Sequence, residues 1–187
     1  MRFVLMAGLA TFALAACLQQ TDEERAAATP CNASASDRWR PVGSGEFNIE
    51  ATASGPNCER AVATLVIRDS EGRVAWAEAF PTEDVMVLAS ARDGGAMEVA
   101  LSGWINPEAN TMMQSTSALP EWPVNADAPQ NGEFPFYPEP GYDRESYTRL
   151  RANNLPLYCF VQGMESTACL ALSDGGLERI GVQSFPG

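Results

Sequence analysis

The sequence predicts an α+β domain built on a mainly antiparallel sheet of about six strands, with two or three short helices and a long proline- and aromatic-rich strap. Three observations lead there. Short segments alternate apolar and polar residues and are separated by tight-turn residues, as at 69–72 and 173–176. Two further segments, 96–105 and 143–153, place apolar residues at helical spacing. Between those two, residues 118–142 hold six of the 13 prolines, which remove backbone donors and prevent regular structure. An all-β sandwich with short helices is the alternative that this pattern leaves open.

The folded part opens at Arg38-Trp39-Arg40-Pro41. Glu46 to Ala53 alternates weakly and reads as a strand, followed by a turn at Gly55-Pro56-Asn57. Ala61 to Arg68 is a stronger strand, with Ala63, Leu65 and Ile67 on one side. Asp69 to Gly72 supplies the reversal, and Arg73 to Phe80 returns with Val74, Trp76 and Phe80 on one face. Pro81-Thr82-Glu83-Asp84 reads as a helix start, with Thr82 as cap and two acids at the positive end of the helix dipole. Gly94-Gly95 breaks the chain before a helix over 96–105. Asp143 caps a helix to about Asn153, with Tyr147 and Leu150 inward, and Pro156 prevents its continuation. The last strand runs from Leu177 to Gln183.

The strap carries the candidate binding residues Trp122, Phe134, Phe136 and Tyr137. Its aromatics argue against full disorder. They form either a cover over the core or an exposed surface for a glycan, peptide or protein. Its acids, Glu121, Asp127, Glu133 and Glu139, are the local candidates for a glycosidase, which needs two carboxylates at a set separation.

Four cysteines lie in the domain: Cys31, Cys58, Cys159 and Cys169. An even number in an exported chain implies disulfides, and four allow three pairings. We adopt Cys31–Cys58 and Cys159–Cys169, the second on local geometry. Leu157 to Gln162 and Thr167 to Leu172 read as a hairpin, and an odd loop such as Gly163-Met164-Glu165 sets the two cysteines opposite. Facing residues lie about 4.5–5.5 Å apart at Cα, within reach of a disulfide. No pair has the short spacing of a thiolate zinc site, so neither a metal nor a cofactor is implied.

The chain begins Met1-Arg2-Phe3, and Val4 to Leu14 is apolar apart from Thr11. That is too short to span a bilayer, which takes roughly 20 apolar residues. A basic start, a short apolar core and small residues at its end make a secretory signal. Leu14-Ala15-Ala16-Cys17 resembles the lipobox of bacterial lipoproteins. The resemblance covers about the first 20 residues. It implies cleavage before Cys17, a diacylglycerol on its thiol and acylation of the new amino end. Leu18, where an inner-membrane-retention Asp stands in enterobacterial members, points to the outer membrane, facing the periplasm. The expected organisation is a signal over 1–16, a lipid-anchored spacer over 17–30 and one globular domain over 31–187.

Removing 16 of 187 residues leaves 171, enough for one domain with a core. Losing Arg2 takes the net charge from −12 to −13. Such a chain lacks the basic patch that phosphate binding needs, so nucleic acid is excluded as a partner. The membrane, through the anchor, and a cationic protein or a glycan are the partners expected. The chain has no histidine, and all 12 of its basic residues are arginine. That removes Ser-His-Asp, Cys-His, Ser-Lys and Schiff-base chemistry and every histidine-containing zinc site. Carboxylates, tyrosine and cysteine remain for acid–base work. The expectation is therefore a non-enzymatic envelope lipoprotein that presents an acidic, disulfide-stapled domain for binding or a structural role. Its sharper form is an inhibitor of a cationic, lysozyme-like enzyme, and its rival is a carboxylate-dependent glycan hydrolase.

Intact mass spectrometry of the native protein is expected to show a chain that starts at Cys17 and carries at least two fatty chains, the number stable anchoring requires. An unmodified amino terminus there, or residues 1–16 still attached, refutes the anchor.

Overall fold

A computed structural model of the chain describes residues 29–109, 113–129 and 134–185. The expected signal, the anchor Cys17 with Leu18, all of the spacer before residue 29, and Glu133 lie outside the described residues.

Eight strands form two antiparallel sheets, not the single sheet of about six strands expected. The first has the order β1(Cys31–Trp39), β2(Phe47–Gly55), β3(Val62–Arg68), β4(Val74–Pro81). The second has the order β5(Phe136–Pro138), β8(Gly176–Ser184), β7(Ser166–Ser173), β6(Leu157–Val161). Two helices of more than one turn complete the described residues, α1(Gly94–Ile105) and α2(Arg144–Ala152).

The first sheet turns one face inward. Ile49, Ala51 and Ala53 of β2 and Ala63, Leu65 and Ile67 of β3 are buried, as period-two alternation requires. β1 escaped the sequence reading because its inward positions are Ala33, Ala35 and Asp37, small or charged rather than branched. Full-length pairing with β2, from Cys31 opposite Gly55 to Trp39 opposite Phe47, builds it instead. β4 carries a register shift opposite Ile67 and Arg68. Trp76 keeps the regular pairing with Ile67, whereas the shift sets Val74 opposite Arg68, so Val74 leaves the face expected of it and is exposed.

After β4 the chain makes a single 3₁₀ turn, Thr82–Asp84, in place of the expected helix. Thr82 is fully buried, and its hydroxyl donates to Cys58 O at 2.7 Å rather than capping a helix. Gly94 and Gly95 are not a break. They are the first residues of α1, where Asp93 caps by accepting Ala96 N–H at 2.8 Å. Met97, Leu101, Trp104 and Ile105 of α1 are buried, and the Trp104 indole N–H donates to Val161 O at 2.6 Å.

The second sheet is buried on both faces. Tyr158, Phe160, Ala168, Leu170 and Leu172 join the core shared with the first sheet and α1. Leu157, Cys159, Cys169, Ala171 and Ile180 face the other way, against Phe136, Tyr147, Leu150 and Leu119. The molecule is thus three layers: first sheet with α1, second sheet, then α2 with the strap. Asp143 and Ser146 form a reciprocal capping box at the start of α2.

Both disulfides are formed. Cys31–Cys58 ties the start of β1 to the β2–β3 connection, and Cys159 stands opposite Cys169 in the β6–β7 ladder. Gln162 N–H donates to Ser166 O, leaving Gly163, Met164 and Glu165 as the reversal. Each closure contributes about 2–4 kcal/mol in the chain-entropy treatment.

At Gly181 the β5 segment crosses so closely that a Cβ would lie 2.5 Å from Tyr137 O and 2.6 Å from the Phe136 ring, and the backbone has φ +155°. Gly181→Ala is expected to destabilise the domain by about 2–4 kcal/mol, read as a drop in denaturation midpoint with unchanged slope. An alanine variant as stable as the parent refutes this packing of β5 on β8.

Candidate functional site

The four aromatic residues singled out in the strap do not form one exposed surface. Phe136 is fully buried, with its ring 6.2 Å from that of Tyr147. Trp122 is half-buried, edge-on to Tyr147 at 5.6 Å, and its indole N–H donates to Ala126 O. Phe134 is half-buried, and only Tyr137, 55% exposed, presents its ring to solvent. The strap is a cover over the second core, and the reason is satisfaction of both surfaces. Its apolar rings bury against α2, while Tyr147 O–H donates to Pro120 O and Arg151 to Leu119 O, meeting strap carbonyls that have no ladder partner.

The strap acids are likewise dispersed. Glu139 lies 2.9 Å from Arg179 in an ion pair, and the exposed Glu121 is 3.9 Å from Arg151. Asp127 borders a separate depression beside the start of α2. Glu121, Asp127 and Glu139 thus have separate surroundings, and among the described residues no group of three or more acids or cysteines could hold a metal ion.

A groove that sequence reasoning missed lies between the end of β1 and the start of β6, and its volume is 640 Å³. Trp39, Pro156 and Leu157 contribute its apolar lining. Trp39 is fixed by its position at the end of β1 and by ring contacts with Phe47 at 5.5 Å and Tyr158 at 5.7 Å. Arg38 and Arg40 flank it, each about two-thirds exposed, and share Glu46 at 3.5 and 2.6 Å. Opposite them stand Ser115 and Asn154. Ser117 O–H donates to Asn154 Oδ1 at 2.6 Å and also meets the Ser115 hydroxyl at 2.8 Å. Asn154 adopts φ +49° because it is the residue that closes α2, a position where asparagine tolerates the left-handed region. A second, more polar hollow of 540 Å³ continues past Arg38 and Arg40 toward Asp37 and Glu108. The signal in the sequence was Arg38-Trp39-Arg40, two cations about an aromatic in a strongly acidic chain. Charges of both signs beside an aromatic floor can hold a polar ligand. Its serines have no histidine or lysine base anywhere in the chain.

The charges have a plain pattern. Arg38, Arg40, Arg68, Arg73, Arg92, Arg149, Arg151 and Arg179 each pair with a carboxylate. Arg144 donates to Val124 O, and Arg60 is exposed with no carboxylate partner among the described residues. Several exposed carboxylates, including Glu83, Asp84, Glu98, Glu165, Asp174 and Glu178, have no arginine partner among the described residues. Asp69 is held below the usual carboxylate range by its hydrogen bond from Arg73, and Asp143 by backbone and hydroxyl donation from Ser146. No family model, curated protein or solved structure matches the chain.

Burial pushes the phenols of Tyr147 and Tyr158 well above the usual tyrosine range. A phenol with a raised folded value favours the folded state fully below the unfolded value of about 10, and loses that contribution as pH climbs past it. Alkaline spectrophotometric titration is therefore expected to show these two of the four tyrosines ionising only as the domain unfolds. Four phenols titrating together near pH 10 in folded protein would contradict the packing of α2 and β6.

Proposed function

We propose that the chain is a non-enzymatic, lipid-anchored lipoprotein of the bacterial envelope whose acidic, stapled domain binds a cationic protein. The observation that carries this reading is the charge pattern. All described arginines except Arg60 and Arg144 pair with a carboxylate, and exposed carboxylates such as Glu83, Asp84, Glu98 and Glu165 have no arginine partner among the described residues. An uncompensated surface of one sign steers and holds a partner of the other. The lipobox-like Leu14-Ala15-Ala16-Cys17 supports the address, and two disulfides in a small domain support an oxidising compartment. The sharper form of the proposal is inhibition of a lysozyme-like enzyme by covering its basic cleft.

The groove at Trp39 favours a second reading, in which the ligand is a glycan. An aromatic floor with amide and hydroxyl groups opposite suits a sugar's apolar face and hydroxyls. Glu139, the strap acid closest to a partner charge among the described residues, is committed to Arg179 and gives the hydrolase reading no support.

Binding to a lysozyme, used as the basic probe, is expected by calorimetry at low ionic strength. It should weaken by about tenfold or more on moving from ~20 to ~300 mM salt, because screening shortens the reach of exposed charges. No binding at low ionic strength refutes the cationic-partner reading. In intact cells, crosslinking should recover one basic protein; recovery of glycan alone favours the second reading.

A further inference from the structure

We infer that the docking surface for a cationic partner is centred on Met86 and Met164, two exposed methionines carried on segments that a backbone hydrogen bond joins. The inference rests on the cationic-partner reading and gives it a location. Met86 is 40% and Met164 51% exposed, unlike Met97, which is fully buried. They belong to different layers, yet Met86 N–H donates to Gly163 O at 3.3 Å, joining the segment after β4 to the β6–β7 reversal.

Both segments are fixed from beneath. On one side Thr82 is buried, with its hydroxyl on Cys58 O and its N–H on Ala61 O at 3.0 Å, and Cys58 is bonded to Cys31. Val85 and Leu88, which flank Met86, are fully buried, so Met86 is turned outward by its neighbours' anchoring. On the other side Ser166 O accepts Gln162 N–H, and Glu165 O accepts Phe185 N–H at 3.1 Å. The backbone of this platform is set before a partner arrives, and little ordering cost falls on binding. The methionine side chains stay adaptable, which suits an apolar anchor of variable shape.

Carboxylates flank the pair. Glu83 and Asp84 precede Met86 and Glu165 follows Met164; all three are exposed and lack an arginine partner among the described residues. Arg92 is taken by Glu59 at 3.3 Å, and Arg60, in the segment that receives Thr82, is a single exposed cation set against these three carboxylates. An apolar centre with acids on both sides is complementary to a basic segment carrying an apolar residue at its middle. We commit to that occupant: an amphipathic, lysine- or arginine-rich protein segment.

The test uses the protein labelled with ¹³C at its methionine methyls, titrated with a short synthetic peptide of leucine and lysine at helical spacing. M86L and M164L variants assign the resonances. The Met86 and Met164 methyls are expected to shift and saturate together while Met97 stays still. The triple variant Glu83→Gln, Asp84→Asn, Glu165→Gln should weaken binding by about tenfold with the melting temperature unchanged. Peptide binding that leaves Met86 and Met164 unmoved overturns this location and leaves the cationic-partner reading standing. Equal binding of a peptide with glutamate in place of lysine overturns the charge argument. Failure of both the peptide and the lysozyme probe to bind at low ionic strength overturns the inference and the proposed function together.

Discussion

Strands β6 and β7 bury both of their faces, and each face needs a cover of a different kind. On one side Tyr158, Phe160 and Leu170 require an apolar layer, which the first sheet and α1 supply. On the other, Cys159, Cys169 and Ala171 leave a shallower surface, because a disulfide and an alanine are small. A single nine-residue helix cannot close that surface alone. The strap completes the closure, bringing Phe136 and Leu119 beside Tyr147. The length of the strap, its prolines and its aromatics follow from this one demand. It must lie flat over a sheet, make few ladder bonds and still bury rings.

Arg179 holds the three layers in register. It extends from β8 in the middle sheet and contacts Glu78 of β4 at 3.1 Å and Glu139 of the strap at 2.9 Å. The contact with Glu139 is an ion pair rather than an aligned hydrogen bond. Arg179 also donates to Gln162 at the end of β6. Glu78 occupies the inward parity of an edge strand, opposite Leu65, where an unpaired charge would be costly. The bulge beside Arg179 turns Ile180 to the opposite face, toward the strap-side core. The two carboxylates and their shared guanidinium are mostly but not wholly enclosed, which limits both the desolvation cost and the strength of the pair. Their value to the fold is positional: the pair fits only when β4, β8 and the strap are all in place.

Local features were legible in the sequence, and layer assignment was not. The turn at Asp69 to Gly72, the cap at Asp143 and the facing of Cys159 with Cys169 depend on residues close in the chain, where turn and cap chemistry decides. β1 was missed because Asn, Ser and Ala carry little strand signal, and its pairing with β2 creates the strand. The helix read at Thr82 failed because burial diverted its hydroxyl to Cys58 O, a contact made by folding and not by local propensity. Division into two sheets was signalled by the unbroken apolar runs of β6 and β7, since a strand covered on both sides does not alternate. The candidate site was less legible still. Phe136 reads as a surface aromatic beside prolines until β8 covers it. Trp39 becomes the floor of a groove only when Pro156 and Leu157 arrive from more than a hundred residues away.

The proposed tether changes what the domain's surface must achieve. A lipid at Cys17 would confine the domain to a thin layer above the bilayer, and a partner in that layer meets it at high effective concentration. A weak, salt-sensitive contact is then enough, and a deep pocket is not required. That matches a surface most of whose arginines are paired and which leaves carboxylates such as Glu83, Asp84 and Glu165 open. It also fits the stapling of both loops beside that surface: Cys31–Cys58 lies below Thr82, and Cys159–Cys169 closes the hairpin that carries Met164. A fixed backbone beneath adaptable methionine side chains would restrict where such a partner binds while leaving open the shape of the residue it inserts.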